Sequence, residues 1–92
     1  MTDDGRDQVV VSPQVRRALS ETLPSAAAFA VFEFLDGPLA ENPHRVGSPL
    51  RTPFAGLHRA RRGEYRVRYL IDDDARVVTV LNVSHRREVY RS

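Results

Sequence analysis

"HRARRGEYRVRY", residues 58–69, sets five arginines among twelve positions and is interrupted once, at Gly63-Glu64. A glycine dipeptide between two runs of alternating apolar and charged residues is a hairpin-turn signal. With the turn placed there, the register follows. Arg62 faces Tyr65, Ala60 faces Val67 and His58 faces Tyr69 on one side of the hairpin. On the other side Arg61 faces Arg66, Arg59 faces Arg68 and Leu57 faces Leu70. Directly opposed like charges destabilise a sheet. A register that gathers four guanidiniums on one face therefore asks for an external anion. The nearest acids, Glu64 and the run Asp72, Asp73, Asp74, stand at the strand ends and are too few to neutralise the face. A nucleic-acid backbone is the expected anion, with tyrosine or histidine nearby to stack on bases.

Outward from the hairpin, strand-like segments are predicted at 56–62, 65–72 and 76–83, joined by turns at 63–64 and 72–75. The preceding "ENPHRVGSPLRTPFAG" (41–56) holds three prolines and two glycines and reads as a loop, ordered by Val46 and Leu50. Before it, "SAAAFAVFEFLDG" (25–37) reads as a helix ended by Gly37-Pro38. It is apolar nearly all round, with Phe29, Val31, Phe32, Phe34 and Leu35. Such a helix is expected to be sandwiched, either against a first helix and the sheet or against a partner. "SPQVRRALSETL" (12–23) supplies that first helix, with Ser12 as N-cap, Pro13 at the first helical position and a stripe of Val15, Ala18 and Leu19. "QVVV" at Gln8–Val11 is a short strand, and residues 1–7 are a frayed head. The tail "SHRREVYRS" (84–92) makes a single turn or short helix. The expected fold is α+β: an N-terminal strand and a two-helix hairpin on one face of a mainly antiparallel sheet of about four strands. No repeat or linker divides residues 1–92, so a single domain is expected.

Charge is placed unevenly. Residues 1–43 hold three arginines and seven acids, whereas residues 44–92 hold eleven arginines and five acids. Every Lys/Arg position is arginine, whose planar fork suits bidentate contact with phosphate or carboxylate. A polyanion or an acidic protein would meet the C-terminal half. With no cysteine and three scattered histidines there is neither a disulfide framework nor a metal-ligand spacing, so no metal or cofactor is expected. No apolar run approaches the ~20 residues of a membrane span. The acidic head lacks the pattern of a signal peptide. A cytoplasmic protein without membrane contact is expected.

Three stretches in order after a helical hairpin, "NPHRVGSPL" (42–50), "GLHRARRGEYRVRYLIDDD" (56–74) and "VVTVLNVSHRREVYR" (77–91), make the chain resemble the RelE/ParE superfamily of bacterial toxins over residues 8–91. It is most similar to the actinobacterial-type RelE branch. The resemblance implies the toxin of a type II toxin–antitoxin system, a ribosome-dependent endoribonuclease (mRNA interferase). Such an enzyme cleaves mRNA in the A site by attack of a 2′-hydroxyl on its adjacent phosphate. It also implies a cognate acidic antitoxin, RelB- or Phd-like, held with the toxin in a hetero-oligomer.

Carried over residue by residue, the resemblance assigns catalytic roles to Arg59 and Arg61 before the turn, and to Arg66 after it. It assigns the same to His85, Arg86 and Tyr90 in the tail. Arg59, Arg61, Arg62, Arg68, Arg87 and Arg91 are expected to bind RNA, with Arg87 and Arg91 also open to antitoxin contact. Arg66 is expected to meet the scissile phosphate. Where some relatives carry lysines in the strand pair, this chain has arginines, which cannot act as bases. Proton transfer then falls to His85, His58, Tyr90 or a ribosomal group. His85, between Ser84 and two arginines, is the candidate base. Ser48 stands where many relatives place a basic residue. Two other functions fit the same residues: a ParE-like toxin that inhibits DNA gyrase by binding it, and a catalytically decayed RNA-binding regulatory module.

Overall fold

The turn at Gly63-Glu64 forms where the sequence puts it, with Gly63 at φ +63°, a left-handed conformation that glycine adopts without steric cost. It joins β3 (Leu57–Arg62) to β4 (Tyr65–Asp72), and all six cross-strand pairs match the expected register, from Arg62 with Tyr65 to Leu57 with Leu70. The computed structural model describes residues 6–51 and 56–87.

A five-stranded sheet is built around this hairpin, with β1 (Gln8–Val11), β2 (Ser48–Pro49) and β5 (Val77–His85) in the order β1-β5-β4-β3-β2. Only β1 runs parallel to its neighbour, β5. The expected sheet of about four strands gains β2, a two-residue pairing of Ser48 with Arg59 and Pro49 with His58. Its proline lies on a sheet edge, where a missing N–H breaks no ladder.

Side chains alternate cleanly across β4. Val67, Tyr69 and Ile71 point into the core, and Arg66, Arg68 and Asp72 point away. Val78 and Val80 of β5 join the core, but the next inward residue is Val83, three positions on rather than two. The reason is a β-bulge: Arg68 pairs with Asn82 and Tyr69 with Val80, leaving Leu81 unpaired and 38% exposed. One extra residue reverses the phase of everything after it. By unbroken alternation His85 would share the outer face with Thr79. With the bulge it lies opposite Tyr65, on the core side.

The helical layer covers that core side. The Ser12 hydroxyl caps α1 (Pro13–Arg17), accepting the Val15 N–H at 3.2 Å and donating to the Leu81 carbonyl at 2.9 Å. Helix α1 runs into a wider π-type turn, Ala18–Thr22, closed by Leu23 N–H donating to the Ala18 carbonyl at 2.9 Å. Helix α2 (Ser25–Phe34) departs from expectation at its end. Gly37-Pro38 does not stop it, and the chain continues through a second π-type turn, Leu35–Leu39, with Pro38 inside. The wider spacing absorbs the N–H that proline lacks, and burial of Leu35 and Leu39 favours the continuation. Within the chain α2 is covered on one side only, which leaves the partner alternative for its other side. Val31 and Phe34 face the core, while Phe29 and Phe32 are 62% and 53% exposed. The residues buried without remainder are Val15, Val31, Leu39, Val67, Tyr69, Val78 and Val80. Each aliphatic one contributes about 1.5–3 kcal/mol relative to an exposed position.

The tail forms no independent element among the described residues. Ser84 and His85 complete β5, and Arg86 and Arg87 make one tight turn anchored by Arg86 N–H donating to the Glu64 carbonyl at 2.8 Å. Tyr90 and Arg91 lie outside the described residues.

Candidate nucleic-acid interface

Among the described residues no helix covers the outer face of the sheet, and the arginine pairs stand on it. Arg61 faces Arg66 and Arg59 faces Arg68, so four guanidiniums occupy one continuous face of two strands. Among the described residues none of the four takes part in an ion pair. The carboxylates that do pair are spent elsewhere: Glu41 on Arg6, Asp7 on Arg76, Asp73 on His44 and Glu64 on His85. The face is therefore uncompensated from within the described fold, which leaves its field available to an anion.

A concavity sits at the turn-proximal part of this face. Arg59, Arg61 and Arg66 line a cavity of about 330 Å³ whose other wall is Val46, Gly47 and Ser48. Three features hold that wall. Tyr69, fully buried, donates its hydroxyl to the Pro43 carbonyl at 2.7 Å. Val46 packs on the core. Ser48 pairs with Arg59, which puts its hydroxyl on the arginine side. Gly47 is there by necessity, since a Cβ would collide with the Tyr69 hydroxyl and come within 2.6 Å of the Arg59 carbonyl oxygen. Burial pushes the Tyr69 phenol up to about 12 from its ordinary 10.0, so this anchor stays protonated at neutral pH. The loop is tied further by His44, whose Nε2 contacts both carboxylate oxygens of Asp73, each at 3.0 Å.

The structure brings together only part of the set expected from the sequence. Arg59, Arg61 and Arg66 share the cavity, and Arg68 continues their face. Arg62 pairs with Tyr65 on the opposite side. His58 is only 6% exposed, stacks on Tyr69 with ring centres 5.6 Å apart and has Nδ1 3.0 Å from the Gly56 carbonyl oxygen. It is a core histidine, set apart from the arginine cavity. Arg86 and Arg87 are exposed at the end of β5.

His85 stands on the helix side, edge-on to the Tyr65 ring with centres 5.2 Å apart. Its Nδ1 accepts the Arg87 backbone N–H at 3.1 Å and its Nε2 lies 3.0 Å from Glu64 Oε1. Sequence reading missed Glu64 as its partner, and also Val46 and Gly47 as a wall of the cavity. The first depends on the bulge, which no residue type announces. The second could have been found from Gly47, an unexplained glycine among prolines.

The fold and its face define a small α+β protein with a basic, concave sheet surface. Comparison with known proteins gives that class a family. A family profile described as the ParE toxin of the type II toxin–antitoxin system parDE matches residues 9–90. The chain is 45% identical to Toxin RelE of Mycobacterium tuberculosis over 91 residues, covering 99% of this chain and 93% of the relative. Among solved structures, the RelBE2 toxin–antitoxin complex of M. tuberculosis superposes with TM-score 0.80 at 41% identity, covering 92% of this chain and 97% of that one. The RelE–RelB complex of Pyrococcus horikoshii gives TM-score 0.72 at 29% identity, covering 95% and 99%. The chain belongs to the RelE/ParE family and is a toxin of the type II toxin–antitoxin class.

Proposed function

We propose that the protein is a ribosome-dependent endoribonuclease that cleaves mRNA in the A site and so stops translation. The observation that carries this reading is the uncompensated arginine face with its cavity of about 330 Å³. Arg66 and Arg61 bracket a phosphate, Arg59 and Arg68 extend the track along the backbone, and Ser48 offers a hydroxyl donor at the rim. Held there, the phosphate gains charge in the transition state where fixed guanidiniums already point. Positioning supplies the rest: the 2′-hydroxyl attacks the adjacent phosphorus in line and leaves a cyclic phosphate. The similarity to a protein named Toxin RelE supports this target over DNA gyrase.

The partner is a cognate antitoxin, as the relatives solved as toxin–antitoxin complexes suggest. Phe29 and Phe32, at i and i+3 on the outer side of α2, are where its apolar helix would rest. An acidic segment of it would compete for the arginine face. The protein works in the cytoplasm, where ribosomes are. No helix of the described residues is long and apolar enough to cross a membrane.

Induced expression with mapping of mRNA ends tests the reading. Cleavage within translated codons is expected. Intact mRNA with loss of DNA supercoiling would instead assign the gyrase target, and salt-sensitive RNA binding without cleavage would assign a regulatory module.

A further inference from the structure

The bulge at Leu81 turns His85 inward, and it also moves two neutral side chains outward. By unbroken alternation from Thr79 on the outer face, Asn82 and Ser84 would enter the core. With Leu81 unpaired, Val83 takes the buried position, Asn82 pairs with Arg68 and Ser84 pairs with Arg66. The start of α1 fixes this phase. The Ser12 hydroxyl donates to the Leu81 carbonyl at 2.9 Å. The Gln14 carboxamide meets both main-chain groups of Val83, its Oε1 accepting the N–H and its Nε2 donating to the carbonyl, each at 3.4 Å.

The arginine face is therefore edged by side chains of a different chemistry. Arg59 has Ser48 beside it on β2, while Arg66 has Ser84 and Arg68 has Asn82 on β5. A guanidinium carries only donors, so it suits a phosphate, whose oxygens only accept. RNA bases also present donors, their amino and imino N–H groups, and no arginine side chain can accept from them. Beside the arginines that part falls to Ser48, Ser84 and Asn82. Of these, Asn82 alone holds an acceptor and a donor side by side in one plane, the arrangement that meets a base edge bidentately. Asn82 is half-buried in a central strand, where asparagine is depleted. No described hydrogen bond engages its carboxamide, so the fold itself gives it no partner.

We propose that Asn82 is a specificity-determining residue, whose carboxamide reads the edge of an RNA base while Arg66 and Arg68 hold the backbone beside it. The proposal rests on the endoribonuclease reading above and adds to it a contact that accepts from a base. Asn82 stands one strand spacing, about 5 Å, from Arg68 and on the same face as Arg66. Being neutral, it contributes to the choice among codons and not to the salt-dependent hold on phosphates.

The test measures single-turnover cleavage on ribosomes programmed with A-site codons that differ one base at a time. Wild type is compared with Asn82→Ala, Asn82→Leu and Asn82→Gln, with thermal melting and the salt dependence of RNA binding recorded for each. Wild type is expected to favour some codons, and Asn82→Ala to shrink the ratio between best and worst by on the order of tenfold. The loss should fall on the best codons, with the worst cleaved at close to the wild-type rate and the salt slope unchanged. Asn82→Leu, which keeps the volume without the hydrogen bonds, should act like Asn82→Ala. Asn82→Gln, which keeps the amide on a longer stem, should recover part of the ratio. An unchanged ratio in both Asn82→Ala and Asn82→Leu, equal slowing on every codon, or a wild type indifferent to codon would overturn the proposal while the endoribonuclease reading stood. Absence of cleavage by wild type would overturn both.

Discussion

Arg61 and Arg66 face each other directly across β3 and β4, and no described carboxylate is paired with either. Two opposed cations in a small sheet are a stability cost of about 0.2–1 kcal/mol relative to a neutral pair. Arg66→Ala is therefore expected to lower mRNA cleavage by at least about 10²-fold, as loss of a transition-state donor does. It should also raise the melting temperature by roughly 1–8 °C for a domain this size. Calorimetry and a cleavage assay on the same preparation check both. A destabilised Arg66→Ala would mean that the arginine has a structural partner.

Salt dependence gives an independent reading of the same face. Each arginine that neutralises a phosphate contributes about 0.7 to the slope of log affinity against log salt for single-stranded RNA. Removal of Arg59, Arg61 or Arg68 should each flatten that slope by close to this amount. Arg17→Ala, on the solvent side of α1, should leave it unchanged. Fluorescence titrations over a salt series measure the slopes.

Tyr69 anchors the loop that walls the cavity, and its chemistry predicts a pH response. Burial raises its pKa from 10.0 to about 12, so the folded chain holds the phenol proton more tightly than the unfolded chain does. That part of the stability is fully present below pH 10 and is lost as pH rises through 10 toward 12. Tyr69→Phe should lack this alkaline decline. At neutral pH it should cost about 1–3 kcal/mol, because the Pro43 carbonyl is left without its donor. Urea melts at pH 7 and above pH 10 distinguish the two effects.

Gly47→Ala is expected to destabilise by about 1–3 kcal/mol through overpacking against the Tyr69 hydroxyl and the Arg59 carbonyl. Because the same shift moves the cavity wall, cleavage should fall further than stability explains. Gly37→Ala, where a Cβ meets nothing within 4 Å, is the matched control and should be close to neutral in both assays.

Phe29 and Phe32 are largely exposed, so replacing both with serine should change the toxin's own melting by little. Affinity for the co-expressed antitoxin should fall by tenfold or more if these rings are anchor residues. Calorimetric titration against the purified antitoxin reads the change. Unaltered affinity would place the antitoxin elsewhere.

The sequence carried the hairpin well because three independent signals agreed there: a glycine turn, alternation on both strands and an arginine pattern that makes sense in one register. Ser12-Pro13 likewise marked the start of α1, since capping chemistry is local. What failed was non-local. Pro38 is a helix breaker by itself, yet Leu35 and Leu39 find core positions that carry the chain past it in a π-type turn. Phe29 and Phe32 look like core residues, but nothing in their spacing tells a buried face from an exposed one. The site was legible for Arg59, Arg61 and Arg66, which one register places. It was not legible for His85, because a single unpaired residue, Leu81, turns the end of β5 over and hands His85 to Glu64.

The most direct test of the central claim uses purified toxin, ribosomes programmed with a defined mRNA, and mapping of the ends produced. Wild type is expected to generate a new end within the A-site codon bearing a 2′,3′-cyclic phosphate, and Arg66→Ala to leave the message whole while remaining folded. An intact message with wild type, or equal cleavage by Arg66→Ala, would contradict the assignment of the arginine face as the RNA-cleaving surface.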